Sequence, residues 1–450
     1  MAEVHQGVRT GVAVYAANSP CEDMHLQTAV GGGSVVAVLD GHGGARAVAF
    51  ARNKLVAALG EALDGVPPTG VGAAMQGALL AVDDALLAEI KAKPYPTTEA
   101  EFDDKIGLME QGACASLVWI PTHGRGEMAV AHLGDTRVVA GSPLGVAHAL
   151  CEVHNAAEPA ERARLQAALP KDKRLFKTYP GAEPGSLKYY VKGIVQVTRA
   201  LGDGYLKDRE LARLHNKAAP QFKVSPLPKE AAPYVSPHAQ VASLVIGRGS
   251  KDEPAFVVVA SDGLWDHMTD GEVTRFVASR LTAAALAGPA RSQISDAALN
   301  ATAQALIDAV LDKVAAGFEL TRAELEAKVA GARGDSGRRS YHDDITVIVA
   351  LLPVPPPAAV PAEASSPMVR QPSRPLMPIA EVGRDFSVVN TTAKMQALSS
   401  PPVAPVRSRR KRAPPTSTAP CSVEQSQAAE SSPLQTRAQR RLKRQKRLGR

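Results

Sequence analysis

Asp40, His42 and three glycines close a five-residue apolar run in VVAVLDGHGG, residues 35–44. A carboxylate and an imidazole two residues apart can bind a cation and move a proton. An Asp-Gly after a strand is also an ordinary turn, so this junction alone defines no chemistry. Three other places in the chain repeat it. Asp135 follows EMAVAHLG, Asp262 follows PAFVVVAS, and Asp343 with Asp344 precedes ITVIVALL. Neighbouring antiparallel strands run in opposite directions, so the end of one lies beside the start of the next. The spacing therefore predicts that these acids converge on one sheet edge. Carboxylates gathered in this way repel one another unless cations lie between them. Oxygen donors without Cys or His suit Mg²⁺ or Mn²⁺. Two such ions can activate water and clamp a phosphoryl group, which points to phosphoester hydrolysis. Nuclease, pyrophosphatase and protein phosphatase chemistry all fit at this level.

The elements that must carry these residues can be read from periodicity. SVVAVL, EMAVAHL, PAFVVVAS and ITVIVALL read as strands. ARAVAFARNKLVAALGEAL, VGAAMQGALLAVDDALLAEIKA and DAALNATAQALIDAVLDKVAAG read as helices. TRAELEAKV opens on a capping-box pattern, Thr321 to Glu324. Strands and helices do not alternate as βαβ units, so the expected class is α+β with antiparallel sheets.

Composition divides the chain. From Pro353 onward there are 17 Lys/Arg against 5 Asp/Glu, a net of +12, whereas residues 1–352 hold 35 against 40, a net of −5. The second part is rich in Pro, Ser and Ala and has no periodic apolar face. Residues 353–450 are therefore expected to be a disordered basic tail behind a folded domain at 1–352. Four cysteines without a C-x-x-C pair argue against a disulfide framework or a thiolate zinc site, and for a reducing compartment. No apolar run approaches the ~18 residues of a membrane span, and the N-terminus has no secretory pattern, so no membrane partner is expected.

Six segments in order make a more specific pattern: CEDMH (21–25), VVAVLDGHGG (35–44), LGDTRVV (133–139), VTRALGD (197–203), VVASDGLWD (258–266) and HDDITVIV (342–349). Together they resemble the metal-dependent protein phosphatases, the type 2C serine/threonine phosphatases. The details of AANSPCED and HNAAEPAERARL are similar to the pyruvate dehydrogenase phosphatase branch. Those of VKGIVQVTRALGDGYLK and RRSYHDDITVIV are similar to a plant-type branch. The resemblance implies a sandwich of two antiparallel β-sheets flanked by helices. It implies two Mg²⁺ or Mn²⁺ ions per subunit, with a position for a third, and phosphorylated protein substrates. Asp40 would bridge two ions and the Gly41 carbonyl would bind one of them. Asp262 and Asp343 would complete the first site, Glu22 and Asp23 would hold coordinated waters, and Asp135 would mark the third. A hydroxide between the ions would attack phosphorus while His42 protonates the leaving oxygen.

The chain departs from the pattern in places. Asn18 stands where many relatives carry a phosphate-gripping arginine, Cys114 where threonine is usual, and Val153 where Asp is common before His154. Trp265 and Cys114 are expected to pack in the core, Asp266 to cap a turn, and Arg137 and Arg199 to pair with carboxylates. Asp203 is expected to order the site through backbone hydrogen bonds. His267 and His342 carry no assigned role. Two further readings stand beside the enzyme: a pseudophosphatase-like binding scaffold and a nucleic-acid phosphodiesterase. RSRRKR (407–412) and RAQRRLKRQKRLGR (437–450) suit an import receptor or a polyanion, giving an expected location in the nucleus, the cytoplasm or both. Oligomeric state is not legible.

Overall fold

β3 (Gly33–His42) is apolar without alternation because both of its faces are covered. Val36 and Val38 point into the space between two sheets, where they meet Val118, Ile120, Val130, Val257, Val259 and Ile348. Val35, Ala37 and Leu39 point the other way, onto two helices. Those helices are α1 (Ala45–Leu63) and α2 (Val71–Ala92). α1 buries Val48, Ala51, Leu55 and Leu59 at helical spacing. Val48, Leu55 and Leu59 each contribute about 1.5–3 kcal/mol by leaving water.

The computed structural model describes residues 8–122, 126–180, 186–220, 223–224, 232–247, 252–331 and 341–354. All belong to one compact unit; a second, Ala358–Glu430, falls outside them, as does the expected basic tail beyond 354. One sheet runs β1 (Thr10–Tyr15), β13 (Ile345–Leu351), β12 (Phe256–Ala260), β6 (Arg137–Gly141), β7 (Ala147–Ala149). The other runs β11 (Gln240–Ile246), β5 (Gly126–Leu133), β4 (Gly112–Pro121), β3, β2 (Asp23–Val30), with β10 (Leu201–Gly202) also on β4. These pairings are antiparallel. A separate hairpin joins β8 (Phe176–Pro180) to β9 (Leu187–Val191). The outer face of the first sheet packs on the helices Asp270–Leu281 and Asp296–Gly317 through Val273, Val277, Leu306 and Val310. The result is a helix–sheet–sheet–helix stack: the α+β class with antiparallel sheets read from the elements, in the sandwich that the family resemblance implies.

The three long helices have the bounds read from periodicity. The box at Thr321 is also formed, with Glu324 N–H donating to Thr321 Oγ1 and Thr321 N–H to Glu324 Oε2. One expectation needs correcting. The helical stretch Pro68–Ala92 is long and apolar enough to cross a membrane by length and composition. In the fold α2 is a core helix, with Met75, Leu79, Val82 and Leu86 buried.

Candidate metal centre

The acids meet at one end of the sandwich, and they come from both sheets rather than from one sheet edge. In the second sheet Asp23 on β2 faces Asp40 on β3 across the ladder. In the first, β12 and β13 are neighbours, so Asp262 just after β12 lies by the start of β13, where Asp343 and Asp344 stand. Asp135 sits in the short crossing from β5 to β6, that is, from one sheet to the other. The reasoning from neighbouring strands holds within each sheet. What joins the two halves is the packing of sheet on sheet.

Carboxylate oxygens of Asp40, Asp135 and Asp262 all lie within 4.8 Å of one another. The Asp262 N–H donates to Asp40 Oδ2 over 3.3 Å. Burial first, then the charges of Asp262, Asp23, Asp135 and Asp343, pushes Asp40 well above the ordinary carboxylate range. Burial and then Asp135 and Asp343 do the same to Asp262. An all-oxygen cluster that resists its own charge fits a hard divalent cation. Asp343 is outside the tightest triad but close enough to act on both of these acids.

Glu22 and Asp23 have different surroundings. Asp23 is buried and accepts a hydrogen bond from Ser261 Oγ at 2.7 Å. Burial raises it to about 7 despite that bond. Ser261 Oγ in turn accepts from Thr346 N–H, so one hydroxyl ties β2 to both β12 and β13. The Glu22 carbonyl accepts from Gly41 N–H at 3.0 Å. Gly41 has to be glycine: a Cβ there would lie 2.5 Å from that carbonyl oxygen.

Asp344 anchors the neighbouring loop. Its Oδ1 accepts from Ala17 N–H and Asn18 N–H, and its Oδ2 from Asn18 Nδ2 and Glu22 N–H. Burial would raise its pKa, but these donors outweigh burial and hold it below the ordinary value. Asn18 thus serves the loop: its amide faces Asp344 and, at 3.3 Å, Asp343. Cys114 is buried and its thiol lies 3.2 Å from Asp135 Oδ1, while Asn155 Nδ2 donates to Asp135 Oδ2 at 2.9 Å. Burial and the Asp135 charge keep Cys114 a thiol. Trp265 is buried with its indole N–H on the Ala260 carbonyl. Arg137 pairs with Asp270 and Arg199 with Glu161.

Sequence reasoning missed the partner of His42. Its Nε2 lies 2.8 Å from Oδ2 of Asp203, a carboxylate with no solvent exposure. Asp203 adopts a left-handed backbone, φ 51° and ψ 43°, and its N–H is held by the Gln111 carbonyl. Burial would lower the His42 pKa; the Asp203 charge and hydrogen bond outweigh it and leave the imidazole above its ordinary value. Gly112 makes room for the pair, since a Cβ there would lie 2.4 Å from Asp203 Oδ2 and 2.5 Å from His42 Nε2. The signal available was the Gly-Asp-Gly of ALGDG, a carboxylate held between two glycines.

A sandwich of two antiparallel sheets with an acidic, histidine-bearing end defines a class of metal-dependent hydrolase. The profile of the family "Protein phosphatase 2C" matches residues 12–312. "Probable protein phosphatase 2C 36" of Oryza sativa subsp. japonica is 32% identical over 367 residues, covering 78% of this chain and 81% of its own. "Probable protein phosphatase 2C 63" of Arabidopsis thaliana is 28% identical, with 77% and 81% covered. A serine-threonine phosphatase 2C from Toxoplasma gondii superposes with a TM-score of 0.48 at 15% identity, covering 76% of this chain and 94% of that one. The chain belongs to the protein phosphatase 2C family, the metal-dependent serine/threonine phosphatases. Asp343 and β13 lie beyond the matched range.

Proposed function

We propose that this end of the sandwich hydrolyses phosphoserine and phosphothreonine in proteins with two divalent cations, Mg²⁺ or Mn²⁺, and a position for a third. Asp40, Asp135 and Asp262 would hold them, with Asp343, the Gly41 carbonyl, Glu22 and Asp23 around. Cations bound there supply Lewis acidity: they acidify water and neutralise phosphoryl oxygens. The observation that carries the reading is the oxygen-only triad with His42, partly open to solvent and backed by the buried Asp203 carboxylate, beside it.

His42 has one nitrogen taken. Nε2 faces Asp203, so Nδ1 is the atom that serves the reaction. Water attacking phosphorus expels the seryl or threonyl oxygen, a poor leaving group until it gains a proton. His42 gives that proton from Nδ1, and Asp203 stabilises the charged imidazole that holds it. A binding scaffold has no use for a self-repelling acidic cluster with a proton donor beside it. Hydrolysis of p-nitrophenyl phosphate, a phosphothreonine peptide and an oligonucleotide, each with Mn²⁺ and with EDTA, tests the reading. Mn²⁺-dependent turnover of the first two supports it. Turnover of the oligonucleotide alone overturns it.

The two basic clusters at 407–412 and 437–450 would direct part of the protein to the nucleus through an import receptor, or to a polyanion, with the remainder in the cytoplasm. A fluorescent fusion with and without them tests this. An identical distribution rejects it.

A further inference from the structure

A second pocket stands apart from the acidic centre and has the opposite charge. It has a volume of about 320 Å³ and lies between the end of α2, the turn Asp103–Gly107 and the helix Arg209–Ala218. Its floor is Leu211 and Leu214, and its walls carry Lys91, Lys105, Arg213 and Lys217 against one lining acid, Glu210. Some of this charge is already answered: Lys91 pairs with Asp208 at 2.6 Å, and Lys105 Nζ donates to the Lys93 carbonyl. Lys105 is nonetheless 6% exposed, a lining lysine held almost out of water. Arg213 and Lys217 are exposed, and Lys217 rests over the Tyr95 ring at 4.5 Å. Within a body of net charge −5 this is a local reversal of sign.

The pocket is also fixed to the reaction centre. His215 lies between Arg213 and Lys217, about 3 Å of helix rise from each. Its Nε2 is 2.7 Å from Glu110 Oε1. Next in sequence, Gln111 accepts on its side-chain oxygen from Arg46 and Ala47 N–H, the first turn after His42-Gly43-Gly44. The Gln111 carbonyl accepts from Asp203 N–H. One short segment therefore links the basic helix to both members of the His42–Asp203 pair. A chain seated in the pocket would stand at a set distance from the metal centre.

We propose that this pocket is a docking site for an acidic or additionally phosphorylated segment of the protein substrate, distinct from the phosphoryl group being removed. This rests on the phosphatase reading of the metal centre. The acids at that centre address the phosphate through cations and offer nothing to the surrounding peptide's charge. The basic pocket supplies that recognition, and its leucine floor takes an apolar side chain next to the acidic ones. Its volume suits a few side chains rather than a nucleic-acid duplex.

Two measurements on the full chain test it. The first compares kcat/KM on a phosphothreonine peptide carrying a distal Asp/Glu tract with the same peptide carrying Gly/Ser instead. The wild type should favour the acidic peptide about tenfold through KM, as expected for charge complementarity, and added salt should erase the preference. In Arg213→Glu/Lys217→Glu the preference should vanish with p-nitrophenyl phosphate turnover unchanged. The second reads binding of a fluorescent, unphosphorylated Glu-rich peptide by anisotropy and needs no turnover. The charge-reversed variant should bind at least several-fold more weakly. If the two peptides are equal in the wild type, or if the variant keeps the preference and the affinity because the basic tail carries both, the docking site is wrong. Loss of p-nitrophenyl phosphate turnover in the wild type would instead count against the metal-centre reading.

Discussion

His42 Nε2 and Asp203 Oδ2 lie 2.8 Å apart, and the carboxylate is sealed from water. Asp203→Asn keeps the shape and removes the charge that supports a protonated imidazole. Turnover of a phosphothreonine peptide should fall about 10- to 100-fold, a part of the roughly 10²–10⁴-fold that a positioned general acid contributes. p-Nitrophenyl phosphate should lose less, because its phenolate leaves without a proton. Equal losses on the two substrates would remove Asp203 from the proton path.

The acidic cluster should make the benefit of a cation depend on pH. Asp23 sits near 7 and Asp40 and Asp262 stand above their ordinary value, chiefly through burial and then, at Asp40 and Asp262, mutual repulsion. A carboxyl raised in the folded state leaves the metal-free fold most stable below the unfolded value near 4. That stability is lost as pH rises through about 7. Mn²⁺ restores it where the acids are ionised. The increase in thermal midpoint from EDTA to Mn²⁺ should therefore be larger at pH 7 than at pH 5. An increment independent of pH would contradict the cluster as the binding site.

A buried imidazole pair should act with the opposite sign. His132 and His154 stack at 4.8 Å, both buried, and burial lowers His132 to about 4 and His154 further still. No partner reaches either ring nitrogen of His154 among the described residues. A histidine lowered in the fold leaves stability intact above its unfolded value near 6.5, and stability falls as pH drops from there toward 4. His154→Leu should flatten the slope of thermal midpoint between pH 7 and pH 5, measured with Mn²⁺ present throughout. An unchanged slope would place the acid sensitivity elsewhere.

Truncation should distinguish the last strand from the basic tail. Leu352 N–H donates to the Ala255 carbonyl, and Arg291 Nη1 donates to the Leu352 carbonyl. Stopping after Val354 keeps both bonds, so p-nitrophenyl phosphate turnover should be within about twofold of the full chain. Stopping after Ala350 removes both and the side chains of Leu351 and Leu352, and the thermal midpoint should fall by at least several degrees. If the longer truncation product also changed rate several-fold, the tail would have to act on the metal centre.

The sequence carried the helices and the acidic strand ends because both are local patterns. α1, α2 and the helix at Asp296 kept their bounds since apolar spacing and flanking breakers agree there. The junctions at Asp40, Asp135 and Asp262 were legible because an apolar run must end somewhere, and a carboxylate at that end is easy to see. Sheet assignment was not legible. Nothing local in VVAVL or VVVAS says that the two strands belong to different layers, so one shared edge was expected. The Asp203 contact and the Asn18–Asp344 anchor are pairings across 161 and 326 residues. A single sequence holds no trace of such partners beyond unusual residues at unusual backbone sites.

Gly112 has a consequence for reading other chains of this kind. One methyl group there would wedge His42 and Asp203 apart, since its nearest neighbours are atoms of those two side chains and not of a proposed ion ligand. A chain with every acid in place and alanine at that position should still take up Mn²⁺ and melt higher for it, yet lose its ability to expel a seryl oxygen. Such a molecule would pass any inspection of its ligands and still act as a decoy for phosphoproteins. The boundary between an enzyme and an inert phosphate trap can thus lie at a residue with no chemistry of its own.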